Sequence, residues 1–156
     1  DIKMSKLIEN ISTLQSNIFI LTPILVSFYR NLQPKDKNIL LAYFVFPLVL
    51  NSDFLEKITT VSRASRLSRI TNDKEIMAGF EERFEYFKDI TNHCLQYALG
   101  CGYIKINDDL SVTVLVDNNL QIDCRLSKSI NLASQLHKIF TRNVINTYYA
   151  FGIYKL

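Results

Sequence analysis

The 156-residue chain is 48% hydrophobic and 21% charged, with only four glycines and three prolines, which fits one globular domain and excludes long disordered linkers. The formal net charge of +3 is too small to indicate a nucleic-acid-binding protein by itself, since such domains carry a clustered basic face. Three cysteines are an odd and sparse set, which argues against a disulfide framework and indicates a reducing compartment. Because no basic-then-apolar leader is recognisable, we expect a cytoplasmic protein.

Two strongly apolar helices are predicted in the first third of the chain. The first covers residues 18–29 and the second covers residues 38–51. The second is apolar on every side, and it falls short of the roughly 20 residues needed to cross a bilayer. We therefore expect it to be buried in protein, with some apolar surface of the chain left to hold another protein. Pro47 is expected to kink or end this helix, and Asp36 or Asn38 to cap it.

The clearest helical periodicity covers residues 73–99. Apolar side chains recur there at steps of three and four, namely Ile76, Phe80, Phe84, Phe87, Ile90, Cys94 and Tyr97. Asn72 with Glu75 three residues later reads as a capping box. Two shorter helices are expected before it, over residues 52–58 and 62–70.

A β-hairpin is predicted after this long helix. Gly100 and Gly102 supply the positive φ that ends a helix. Residues 103–106 and 110–116 are rich in β-branched side chains and alternate in hydrophobicity, which is typical of two paired strands. Residues 127–142 then return to helical spacing.

The predicted fold class is mostly α with a small β-hairpin, in the element order of a winged helix-turn-helix. We expect a single winged-helix-like domain over residues 1–156. Its parts are an N-terminal helix (1–15), a helical body (17–100), a hairpin wing (103–123) and C-terminal helices (127–156).

The sequence contains no recognisable catalytic motif. It has no Gly-rich phosphate loop, no G-x-S-x-G and no H-E-x-x-H. His93, Cys94 and Cys101 fit no standard zinc spacing, and Cys94 lies on the apolar face of its helix. His137 has Ser134 one turn away but no orienting acid nearby. We therefore predict no enzyme activity, no catalytic residue, no cofactor and no metal ligand.

The basic residues form a stripe before the long helix. Residues 73–99 hold six acids and three bases, so a groove-reading role for that helix is disfavoured by repulsion from phosphate. The basic stripe, by contrast, is suited to an acidic partner or a DNA backbone, with a plain solvated face as the alternative. Its members are Lys57, Arg63, Arg66 and Arg69.

Several segments resemble a known family when taken in order. They are Pro47-Leu-Val-Leu50, the Ser/Arg repeat from Ser62 to Ile70, Gly79-Phe-Glu-Glu-Arg-Phe84, residues 91–98, Tyr103-Ile-Lys-Ile-Asn-Asp-Asp109 and Thr147-Tyr-Tyr-Ala-Phe-Gly-Ile-Tyr-Lys155. Together they resemble the middle component of three-component ABC-ATPase systems, of which Lamassu-type antiphage defence is the best-known relative. The resemblance implies a non-catalytic, winged-helix-like adaptor between an SMC- or Rad50-like ABC ATPase and an effector, often a nuclease. Because the all-apolar run is too short to span a bilayer, we also expect no membrane partner.

Aromatic side chains are the predicted anchors of such an interface, since aromatics dominate interface energetics. The candidates are Phe19, Phe28, Tyr29, Tyr148, Tyr149 and Phe151. Ordinary burial in the core of the chain is the alternative for each of them. The competing function is a winged-helix DNA-binding regulator, in which the basic stripe contacts phosphate.

Overall fold

The computed structural model describes residues 14–59, 66–117 and 120–155. The elements in this part of the chain are α1 (Leu14–Asn31), α2 (Ala42–Val49), α3 (Ser52–Lys57), α4 (Ser68–Thr71), α5 (Lys74–Met77), α6 (Phe80–Gly100), β1 (Ile104–Ile106), β2 (Val112–Val114), α7 (Ser127–Ala133) and α8 (Val144–Ala150). Short 3₁₀ turns cover Asn38–Leu41, Cys124–Leu126 and Leu136–Lys138. The predicted N-terminal helix (1–15) lies almost wholly outside the described residues, as does much of the one over 62–70.

The apolar helix α2 lies at the centre of the fold. It packs against α6, α1 and α7, and its side chains Phe44, Phe46 and Leu48 are completely buried. The prediction of burial is therefore confirmed, but the covering surface comes from this chain itself. Neighbouring helices cover the apolar sides of α2, so α2 keeps no free face for another protein. No helix among the described residues is long and apolar enough to cross a membrane.

The long helix begins later than its periodicity suggests. Residues 74–77 form the separate α5, and α6 starts after Gly79, whose φ of +68° is a left-handed conformation that breaks the helix. The side chain of Asp73, rather than that of Asn72, caps α5 by accepting hydrogen bonds from the amides of Glu75 and Ile76, each at 3.0 Å. The predicted single helix over 73–99 is thus wrong over its first seven residues, about two turns.

The predicted helix over residues 127–142 is likewise interrupted. Helix α7 ends at Ala133, and a 3₁₀ turn follows. The hydroxyl of Ser134 donates to the carbonyl of Asn131 at 2.6 Å, a local bond of the kind that competes with helical backbone pairing. The apolar positions Ile130, Leu136 and Ile139 are nevertheless buried, so the periodicity correctly identified the core-facing side.

The hairpin is confirmed and packs against the helical body. Strands β1 and β2 are antiparallel, with Ile104 opposite Val114. The tip of the hairpin is held by backbone bonds from Lys37 to the carbonyl of Asp109 (2.8 Å) and from Ile39 to that of Leu110 (3.1 Å). The mostly α fold with a small hairpin is therefore correct, whereas its relationship to winged-helix proteins stays a prediction.

Asn38 connects the hairpin to the turn that precedes α2. Its side chain is completely buried, and its Oδ1 accepts a 2.8 Å hydrogen bond from the amide of Val112. The predicted capping role for Asp36 or Asn38 is wrong, because Lys37 occupies the N-cap of the 3₁₀ turn with a φ of 60° and no side-chain cap is made. Asn38 instead satisfies a strand amide that faces the interior.

Candidate protein-interaction surfaces

The six predicted aromatic anchors separate into two groups. Phe28, Tyr29, Tyr148 and Phe151 are buried, so for these four the alternative of ordinary core packing describes their position in the chain. Phe19 and Tyr149 remain on the surface, 51% and 55% exposed. Ring contacts explain the burial, since Phe28 packs edge-on to Phe140 and Tyr148 packs on Phe44.

Tyr149 stands beside a groove built by the last turn of the chain. After α8, Gly152 adopts a φ of +75°, its amide bonds the carbonyl of Tyr149 at 2.9 Å, and the amide of Ile153 bonds that of Tyr148 at 3.0 Å. This pair of bonds is the helix-ending pattern that favours glycine. It turns the chain back so that the ring of Tyr154 lies 5.4 Å from that of Tyr149.

We call this feature the C-terminal groove, with a volume of about 270 Å³. The side chains that define it are Leu40, Ile145, Tyr149, Ile153, Tyr154 and Lys155. Ile145 and Tyr154 are 57% and 74% exposed. A single exposed apolar side chain is ordinary, but several of them around one groove are typical of a protein-interaction site, because their burial against a partner is favourable.

The floor of the groove is held in place by a hydrogen bond and by ring packing. The hydroxyl of Tyr148 donates to the carbonyl of Leu40, and its ring lies 4.6 Å from that of Phe44 and 6.1 Å from that of Phe84. Burial raises the pKa of Tyr148, so this hydroxyl stays a neutral donor. The position of the groove wall is therefore fixed by both hydrogen bonding and packing.

The segment that forms most of the groove carries no acidic side chain. Residues 124–155 contain no Asp or Glu and five Lys or Arg, namely Arg125, Lys128, Lys138, Arg142 and Lys155, of which Arg125 is paired with Asp123 at 2.7 Å. Lys155 lines the groove, and Arg142 is exposed two residues before Val144, which also lines it. This charge asymmetry was readable in the sequence, and the pattern analysis missed it.

Phe19 belongs to a second surface, which we call the Phe19 surface. A shallow depression of about 30 Å³ lies between Phe19, Pro23, Tyr97, Tyr103 and Leu120. The rings of Tyr97 and Tyr103 meet edge to face at 6.1 Å. The exposed Leu115 lies next to it, since its amide bonds the carbonyl of Tyr103 at 2.8 Å.

Only part of the predicted basic stripe is exposed basic surface, because one of its members is held in ion pairs. Lys57 pairs with Asp73 at 3.0 Å and with Glu75 at 3.3 Å, and the hydrogen bond to Asp73 is the main reason that the pKa of Lys57 is raised. Arg66 and Arg69 are exposed on either side of the start of α4. Arg63 lies outside the described residues.

The histidines and the serine considered for catalysis or metal binding make ordinary contacts with the backbone. Nδ1 of His93 lies 2.6 Å from the carbonyl oxygen of Asp89, and Nδ1 of His137 lies 2.9 Å from that of Ser134. The hydroxyl of Ser134 is bonded to the backbone, so no Ser–His pair forms. Within the ranges that the structure describes, no group of three His, Cys, Asp or Glu side chains is arranged to hold a metal.

The three cysteines are expected to differ sharply in reactivity. Cys94 is buried, and burial raises its pKa to about 12, whereas Cys101 and Cys124 are exposed. Because the thiolate is the reactive form, a thiol-specific disulfide reagent at pH 8 should modify two thiols per chain rapidly and the third only after unfolding in urea. The variants Cys101→Ser and Cys124→Ser should each remove one rapid thiol. Rapid reaction of all three in the folded protein would contradict the buried position of Cys94.

The surfaces described above belong to a chain with a recognisable family. The family model described as "ABC-three component (ABC-3C) system Middle Component 3" matches residues 5–155. Neither the curated proteins nor the solved structures contain a match to the chain. Because the family match runs through all the described elements from α1 to the C-terminal groove, the chain belongs to the Middle Component 3 family of ABC-three component systems.

Proposed function

We propose that this chain is a non-catalytic adaptor that holds an SMC- or Rad50-like ABC ATPase and an effector, which we expect to be a nuclease, in one cytoplasmic complex. Membership of a middle-component family supports a partnership with the other components of such a system. The resemblance to Lamassu-type systems supports a role for the complex in defence against phages or plasmids.

The observation that carries this proposal is the presence of two separate exposed apolar surfaces. Phe19 lies in the first half of α1, and the C-terminal groove lies beside the other end of that helix. Lys35, just after α1, donates to the carbonyls of Phe140 (2.8 Å) and Arg142 (2.7 Å), which holds the start of α8 there. Twelve residues separate Phe19 from Asn31, which corresponds to about 18 Å along a helix. A bridging subunit needs two separate contact surfaces, and the chain has two.

The charges of α6 favour this function over the reading of DNA by the helix before the hairpin. Arg83 is turned inward, where it donates to the carbonyls of Pro47 (3.3 Å) and Ile76 (2.8 Å), and Lys88 pairs with Glu85 at 2.9 Å. The exposed side of the helix is left acidic and would repel phosphate. The exposed Arg66 and Arg69 support a more limited role, a non-specific contact with DNA backbone within the complex.

The experiment is to express the chain with its two neighbouring components and purify through a tag on it in high salt. We expect the ATPase and the effector to be retained, because apolar contacts survive screening of charges. Phe19→Glu and Tyr149→Glu alter one surface each, so each should lose one partner and keep the other. Tyr86→Glu, at a residue that is 57% exposed on α6, is the matched control and should keep both. Recovery of the chain alone, binding DNA, would contradict the proposal and support the DNA-binding regulator.

A further inference from the structure

We propose that the C-terminal groove binds an acidic amphipathic segment of a partner protein, with an apolar side chain in the groove and Asp or Glu side chains beside Arg142 and Lys155. The inference rests on the proposed function and names the chemistry of one of the two contacts.

The size and lining of the groove fit an apolar side chain of a protein. Sites for drug-sized molecules usually enclose about 300–1,000 Å³ and bury most of the ligand. This groove is smaller, at about 270 Å³, and open to solvent. Its aliphatic walls, Leu40, Ile145 and Ile153, present no hydrogen-bonding group that would orient a polar ligand. A leucine, isoleucine or phenylalanine from another chain is the complementary occupant.

Charge determines what should surround that apolar side chain. Lys155 lines the groove, and Arg142 is exposed two residues before Val144, which also lines it. None of residues 124–155 carries a carboxylate side chain that would offset them. A partner segment with carboxylates would be attracted and correctly oriented, whereas a basic one would be repelled.

The groove is also formed before any partner binds. The bonds of Gly152 and Ile153 to α8 fix the returning chain, and the floor at Tyr148 is held by the carbonyl of Leu40. A preformed site loses little conformational entropy when it is occupied, which favours affinity. The C-terminal groove therefore has the rigidity expected of a docking site.

Single-stranded nucleic acid is the other occupant that tyrosines among cations would attract, and the geometry disfavours it. Base stacking needs an accessible ring face. The rings of Tyr149 and Tyr154 are tilted by 39° with centroids 5.4 Å apart, so a base cannot stack between them. The aliphatic walls would gain nothing from a base, whereas they would bury apolar surface against a protein side chain.

The test is a photo-crosslink from the groove in the complete three-component complex. p-Benzoylphenylalanine replaces Tyr149 in one sample and Tyr86 in the matched control, and mass spectrometry identifies the peptides joined to each. We expect the Tyr149 position to crosslink to a segment of the ATPase or the effector that carries an apolar side chain between Asp or Glu residues. Crosslinks to nucleic acid, to a second copy of this chain or to a basic segment would overturn the inference, as would an intact complex that gives no crosslink.

Affinity measurements provide the second readout. The double variant Tyr149→Ala/Tyr154→Ala should weaken partner binding by at least about tenfold, the loss typical of anchor residues. Arg142→Glu/Lys155→Glu should also weaken it, more at low salt than at high salt, because the lost attraction is screened. Tyr86→Ala and Lys105→Glu are the matched controls and should bind normally.

The two proposals fail in distinguishable ways. If the complex forms and the groove variants bind as tightly as the original chain, the groove inference is wrong and the adaptor function stands. If no complex forms with the unaltered chain, the adaptor function is wrong and the groove has no partner segment of this kind to bind.

Discussion

The Phe44→Ala variant is expected to lose about 3–5 kcal/mol of its free energy of unfolding, the usual cost of deleting a buried phenylalanine ring. Phe44 is completely buried in α2, and it is the residue around which the aromatic core is arranged. Five rings lie within 6.2 Å of its centroid, those of Phe80, Phe84, Phe140, Tyr148 and Phe151. They come from α6, from α8 and from the segments next to α8, so a cavity there loosens several elements at once.

Urea unfolding followed by circular dichroism measures this effect. The matched control is Phe19→Ala, which removes the same ring from a position that is 51% exposed and should change stability far less. Phe44→Leu, which retains more of the side-chain volume, should lie between the two and covers the case in which Phe44→Ala does not fold. Equal losses for Phe44→Ala and Phe19→Ala would show that the core is not centred on Phe44.

The Asn38→Ala variant is expected to lose about 1–3 kcal/mol, because it leaves the buried amide of Val112 without an acceptor. Val112 is itself buried, so water does not readily replace the lost oxygen. Amide hydrogen exchange tests the mechanism directly. The Val112 amide should be protected in the original chain and exchange markedly faster in the variant.

The matched control for this experiment is Asn131→Ala, which removes the same side chain from an exposed position on α7. It should leave both the unfolding free energy and the exchange of the Val112 amide nearly unchanged. A destabilised Asn38→Ala variant that retains full protection at Val112 would show that Asn38 acts through some contact other than this hydrogen bond.

Hydrophobic periodicity predicted which residues face the core better than where each helix begins and ends. The all-apolar run of α2 was predicted to be buried, and the structure buries it in the core. Ile76 and Phe80 are both buried and keep helical spacing, yet Gly79 between them takes a left-handed conformation that separates α5 from α6. Periodicity reports the direction of side chains, and a single residue that breaks the backbone leaves that direction almost unchanged.

The interaction surfaces were harder to predict, for a physical reason. Phe28 and Phe19 have the same side chain on the same helix, yet Phe28 is buried in a core where it packs against Phe140, whereas Phe19 is exposed. That contact joins residues more than 100 positions apart, which no local pattern contains. Two features of the groove can be read from the sequence: no Asp or Glu follows Asp123, and a glycine stands at position 152. Both are readable because charge and backbone conformation depend less on distant parts of the chain than the burial of a side chain does.

Native mass spectrometry of the purified components tests most directly whether this chain joins the ATPase to the effector, as we propose. The ATPase and the effector would be mixed with and without this chain, each at the same concentration. We predict a particle containing all three proteins when the chain is present, and separate ATPase and effector particles when it is omitted. Association of the ATPase with the effector in its absence, with no change in mass when it is added, would contradict the claim.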